Sequence, residues 1–148
     1  MRSQQPNAGR APGRPISAII RFRVGSYSMG IEAESLLEIC RDQNLWSKDR
    51  QNISILSAHE IFGVPAGRES HLLVLHPGRA AFRVDRVERL ILTGSLAPLP
   101  RAFRGDERVW FQGLAVVDGT ILPTVNPVAI GHEVQARGRQ SRATTAST

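Results

Sequence analysis

Apolar and polar residues alternate along most of this chain at the two-residue period of β-strands. Ile16 to Val24 (ISAIIRFRV) alternates around Ile20, Phe22 and Val24. Gly25-Ser26 then marks a turn, and Tyr27 to Ile31 returns as the second arm of a hairpin. SLLEIC (35–40) places Leu36, Leu37 and Ile39 at a spacing that fits either a short strand or a helical turn. Residues 41–52 are polar apart from Leu45 and Trp46 and predict a loop. Ile53 to Leu56 is strand-like, and AHEIFG (58–63) predicts one helical turn closed by Gly63.

Further along, HLLVLH (71–76), a Pro77-Gly78 turn and AAFRVDRVERLILT (80–93) predict two more strands. A Pro-rich connection, LAPLP (96–100), follows. Val109 to Val117 and Thr120 to Val125 flank Asp118-Gly119, the strongest short-range hairpin signal in the chain. Many short strands separated by Gly and Pro turns predict an all-β barrel or sandwich with no long amphipathic helix.

The chain has 148 residues, 41% of them hydrophobic and 22% charged, enough to bury a core in one domain or in two very small ones that share it. That composition excludes a wholly disordered chain. The ends differ from the middle. Residues 1–15 are rich in Pro, Gly, Gln and Arg, residues 133–148 are similar, and both predict disordered basic tails around a folded unit at 16–132. The longest apolar runs fall far short of a bilayer span, and no apolar stretch follows the first arginines as in a secretory signal. A single cysteine, Cys40, cannot form an internal disulfide, so the expected compartment is the cytoplasm.

A net charge of +6 suggests a nucleic-acid partner until the charge is located. Arg2, Arg10 and Arg14 give the first tail three positive charges, and Arg137, Arg139 and Arg142 against Glu133 give the last tail two. The folded part keeps only the remaining one. Its aromatic residues are not interleaved with clustered arginines as a base-stacking platform requires. The stripe Arg79, Arg83, Arg86, Arg89 is broken by Asp85 and Glu88 and predicts a solvated, salt-linked strand face. A small β-barrel whose Arg-rich tails contact nucleic acid is therefore the alternative reading, and nucleic acid is not the expected partner.

Catalytic chemistry finds no foothold. His71 and His76 are an odd number of residues apart, so in one strand they face opposite ways and cannot share an ion. Cys40 ends an apolar run without a histidine placed as its base, and is expected to be a small buried hydrophobe. Glu34 and Glu38 could share a helix face, but no second feature makes them an acid–base pair. No glycine pattern matches a phosphate loop. No cofactor, metal or catalytic residue is expected.

The order of motifs does carry a resemblance. HLLVLHPGRAAFRVDRVERLILT resembles the centre of a CheW-like domain, with its Val-Asp-x-Val strand end. VWFQGLAVVDGTILPTVNPVAI resembles its last part, through aromatic-x-x-Gly, the Asp-Gly turn and Ile-Leu-Pro. IIRFRVGSYSMGIEAESLLEI resembles the opening hairpin and apolar-Glu-Ile strand, and ISILSAHEIFGVP the strand plus helical turn that ends the first half. Together they span about residues 17–130.

The resemblance implies two intertwined SH3-like β-barrel subdomains. It also implies a non-enzymatic adaptor in bacterial chemosensory signalling, coupling the cytoplasmic tip of a chemoreceptor to the regulatory domain of a CheA-type histidine kinase. Carried over residue by residue, it implies partner contacts at Leu36, Glu38, Leu72 and Leu73. Ile53–Ser57 and Leu122–Asn126 would be the corresponding closing strands of the two barrels. One departure stands out. Residues 41–52 are too short for the additional strand and Asn-Leu-Arg-Gly stretch that the family carries there, and only Arg50 stands near its arginine. The first barrel is thus expected to be incomplete, with an open edge, and one of the two interfaces could survive alone.

Overall fold

The computed structural model describes residues 14–15, 18–41, 53–65, 67–92 and 95–141. The first hairpin forms as expected, from β2 (Ala18–Val24) and β3 (Tyr27–Glu32), preceded by a two-residue β1 (Arg14–Pro15). A 3-10 turn at Ala33–Ser35 leads into β4 (Leu36–Arg41), which resolves SLLEIC as a strand. β5 (Ile53–Ser57) runs into α1 (Ala58–Phe62); the Ser57 hydroxyl accepts the His59 N–H at one end, and Gly63 in the left-handed region closes the other. The second half repeats this plan. β6 (His71–Leu75), β7 (Ala80–Val84), β8 (Arg86–Leu92), a short β9 (Ser95–Leu96), β10 (Phe111–Val117) and β11 (Thr120–Val125) precede α3 (Pro127–Arg137) and β12 (Arg139–Ser141).

Two five-stranded sheets result, ordered β10-β11-β3-β2-β8 and β12-β5-β7-β6-β4. In each, successive pairings run antiparallel, parallel, antiparallel, antiparallel. β5 and β11 occupy equivalent places and each enters a helix through a polar N-cap, Ser57 or Asn126. The two halves are intertwined: the first sheet joins β2 and β3 of the first half to β8, β10 and β11 of the second, and the second sheet joins β4 and β5 to β6, β7 and β12. Among the described residues neither sheet closes its ladder, but the first curls until its ends meet, where Arg89 on β8 pairs with Asp118 beside β10 at 3.0 Å.

Three apolar clusters follow from this arrangement. Ile20, Phe22, Leu73, Phe82, Val125 and Ile130 belong to a central core that takes side chains from both sheets and from α3. Ile19, Ile91, Leu96, Ala115, Val117 and Leu122 fill the curl of the first sheet, and Cys40, Ile53, Leu72, Val74 and Ala81 that of the second. β6, and β2 at Ile19-Ile20, are therefore buried on both faces, which is why those stretches interrupt strict alternation.

Several expectations need correction. AAFRVDRVERLILT is two strands broken at Asp85, where the chain leaves one sheet for the other. Glu107–Trp110 is a helical turn, α2, rather than the start of β10. β6 ends at Leu75, so His76 lies beyond it, in the turn whose His76-Pro77 bond is cis. Residues 133–141 are not a tail: α3 continues through them to Arg137 and β12 pairs with β5. The helix forms because Asn126 accepts N–H bonds from Val128 (3.1 Å) and Ala129 (3.3 Å), Pro127 stands at its first turn, and Ile130 and Val134 insert into the central core. Arg14–Pro15, placed in the first tail, pair with β9. The remaining tail residues, 1–13 and 142–148, and the shortened stretch at 42–52 lie outside the described residues.

Replacing Asn126 with alanine removes both capping bonds and is expected to cost about 1 kcal/mol. Urea denaturation should show this as a lower midpoint with an unchanged slope.

Candidate protein-interaction surfaces

Leu36 and Glu38 stand half-buried on β4, an end strand of the second sheet. A register shift between them opens the ladder against β6, and their neighbours Leu37 and Ile39 are 41% and 40% exposed. Leu36 packs against the central core, while Glu38 accepts the Cys40 thiol at 3.0 Å. Cys40 itself is buried, as expected of it. β4 thus carries apolar side chains and a carboxylate on a strand whose outer edge has no neighbour among the described residues.

Leu72 and Leu73 are placed differently. Both are 0% exposed, Leu72 in the curl of the second sheet and Leu73 in the central core. They back β4 from behind, at register partners Cys40 and Ile39, and offer no surface. A strand reading predicts that adjacent residues face opposite sides, with one side inward; here a second layer covers the other side as well.

A second surface lies between the sheets. Tyr27 and Met29 of β3, Phe62 and Val64 around the end of α1, Trp110 at the end of α2 and Phe111 at the start of β10 line a groove of about 520 Å³. Phe62 and Phe111 stack at 5.7 Å with an interplanar angle of 18°, and Tyr27 is 55% exposed. Glu60 and Asp106 stand on its rim. An apolar floor with a carboxylate rim suits a partner segment that presents apolar side chains beside basic ones. Sequence reading missed this site because its aromatic residues are spread over more than eighty positions. Only the crossing of the two halves brings them together.

A polar latch ties α1 to the crossover and to the first hairpin. Asp85, at the crossover between β7 and β8, accepts the Gly25 N–H through Oδ2 at 2.8 Å and faces His59 Nε2 through Oδ1 at 2.8 Å. The Ser57 hydroxyl donates to Glu69, whose carboxylate lies 3.9 Å from the same imidazole. Burial opposes charge on His59, but the Asp85 hydrogen bond and charge outweigh it with help from the Pro65 backbone and Glu69, so its pKa stands above the ordinary 6.5. His71 is shifted the other way, by burial and by Arg41.

The Arg stripe is not one strand face: Arg79 lies in the turn before β7, Arg83 on β7, and Arg86 and Arg89 on β8 in the other sheet. There Arg86 meets Glu88 at 3.3 Å and Arg89 meets Asp118 at 3.0 Å; from β2, Arg21 and Arg23 also meet Glu88, at 3.1 Å and 3.8 Å. The exposed Arg89–Asp118 pair contributes about 0–1 kcal/mol. Among the described residues, no three His, Cys, Asp or Glu side chains are grouped to hold a metal ion, and no helix is long and apolar enough to cross a membrane.

The intertwined pair of curled sheets matches a solved structure, the scaffolding protein TtCheW from Thermoanaerobacter tengcongensis, with a TM-score of 0.61 over 76% of this chain and 90% of that one. The fold is CheW-like. Sequence identity is only 16%, so the likeness lies in the backbone path, and no protein-family model and no curated protein matches the sequence. The CheW-like path explains the latch. A chain that crosses between sheets after β3 and after β7 needs a fixed point at each crossing, and Asp85 ties the second crossing to the turn of the first hairpin.

Proposed function

We propose that this protein is a non-enzymatic adaptor of a bacterial chemosensory assembly, working in the cytoplasm. It couples a chemoreceptor tip to the regulatory domain of a CheA-type histidine kinase, or keeps one of those two contacts. The observation that carries this reading is the CheW-like fold shared with a scaffolding protein. Two surfaces suited to protein partners support it, the β4 strand and the aromatic groove between the sheets. On β4, Leu36 and Glu38 are the contacts, with the exposed Leu37 and Ile39 extending the apolar area beside them. Aliphatic side chains contribute desolvated area, and the carboxylate sets register.

Calorimetric titration of the purified protein with the kinase regulatory domain, and separately with a receptor-tip fragment, tests the reading. Micromolar or tighter binding to at least one is expected. Binding to neither by a folded protein overturns it. With the partner in hand, Leu36→Ala and Glu38→Ala are each expected to weaken binding about tenfold, which is about 1.4 kcal/mol, with the far-UV spectrum unchanged. Unaltered affinity in both would remove β4 from the contact.

A further inference from the structure

The two sheets are built to the same plan except at one place. Beside β11, the first sheet carries β10, seven residues long and supplied by the same half of the chain. Beside β5, the second sheet carries β12, three residues supplied from beyond α3. Arg139, Gln140 and Ser141 pair antiparallel with Ile55, Ser54 and Ile53, while Leu56 and Ser57 of β5 have no β12 partner. An edge in a core position is thus covered by a short strand borrowed from the C-terminus.

The chain reaches that edge through Gly138. This glycine follows α3 directly, donates its N–H to the Val134 carbonyl, and runs so close to β5 that a Cβ would lie 2.8 Å from the Ile55 carbonyl oxygen and nearer still to that of Val134. The fit between helix end and strand edge therefore has no room for a side chain. β5 is otherwise well supported, with Ile53 and Ser54 buried and its far side paired with β7, so its edge keeps its shape when β12 leaves.

We infer that the β5 edge is a strand-acceptor site, held shut in this chain by its own Gly138–Ser141 and able to take that C-terminal segment in trans. Backbone N–H and C=O groups along one side of β5 give the affinity, as in other strand-addition sites. The intramolecular strand excludes others by effective concentration rather than by extent of pairing. Left unpaired, the edge would template association with another chain. The inference does not depend on the adaptor reading, and its test uses no chemosensory partner.

The probe is a fluorescein-labelled peptide of residues 138–148, followed by anisotropy against the full-length chain. Two full-length variants release β12 in different ways. Gly138→Val introduces the excluded side chain. The double variant Arg139→Pro/Ser141→Pro removes the two backbone donors that face β5, since Ser54 turns its own N–H to Arg79 and leaves Ile53 and Ile55 facing β12. Wild-type protein is expected to bind the peptide at least tenfold more weakly than either variant. A peptide carrying Arg139→Pro and Ser141→Pro is expected not to bind at all. Circular dichroism identifies a variant that is folded, and one folded variant suffices. Equal binding by wild type and variants, or no binding by a folded variant, overturns the inference.

Discussion

Replacing Phe82 with alanine is expected to lower stability by about 3–5 kcal/mol and to do so in a single transition that involves both sheets. Phe82 on β7 is fully buried and meets Phe22 of β2 edge-on, with ring centroids 5.8 Å apart and planes at 68°. The pair joins the second sheet to the first across the central core. Removing one ring loses its transfer free energy and its aromatic contact, and leaves a cavity that a core fed by two sheets and α3 cannot easily collapse. Urea unfolding followed by far-UV circular dichroism and by Trp fluorescence should give coincident curves, shifted together in the variant. Separate transitions would mean that the curled sheets fold as independent units.

The second large effect is expected at the crossover. Asp85→Ala leaves His59, 5% exposed, without its nearest partner and leaves the Gly25 N–H without an acceptor. Leaving these two groups without their hydrogen-bond partner costs about 1–3 kcal/mol each. The pH dependence gives the finer test. The folded protein holds the His59 proton more tightly than the unfolded chain, so this contribution is fully present below about pH 6.5, the unfolded value, and is lost as pH rises through the higher folded value. His71 works in the opposite window: its folded pKa is lowered, and its contribution is lost as pH falls below 6.5. The comparison is therefore wild type against His59→Gln, in which the His71 slope cancels. Stability of wild type relative to His59→Gln should decline as pH rises from 6.5; a flat difference would show that Asp85 and His59 are not coupled through charge.

Much of the architecture is legible along the chain. The two hairpins at Gly25-Ser26 and Asp118-Gly119, the capped turn Ser57–Gly63 and the CheW-like order of motifs all rest on interactions within a few residues. Local turn chemistry and a two-residue period are sufficient for these. The same locality explains what was misplaced. In AAFRVDRVERLIL the apolar phase shifts from Phe82 and Val84 to Val87 across the polar pair Asp85-Arg86. Such a shift fits a bulge as well as a change of sheet, and what fixes the crossover is a hydrogen bond to Gly25, sixty residues away.

Burial of both Leu72 and Leu73, the aromatic groove and the β12 cover were decided only by tertiary structure. Strand periodicity tells which residues share a face; it does not tell whether one face or both will be covered. Leu72 and Leu73 are both interior because β6 is sandwiched between the central core and the curl of its own sheet. Residues 133–141 read as a polar tail because Ile130 and Val134 are the only buried positions of α3, and a polar three-residue strand has almost no apolar pattern. Its place is set by a vacant row of backbone groups on β5 and by a glycine small enough to reach them. Backbone pairing carries no side-chain signature, so that contact exists only once the rest of the chain has folded.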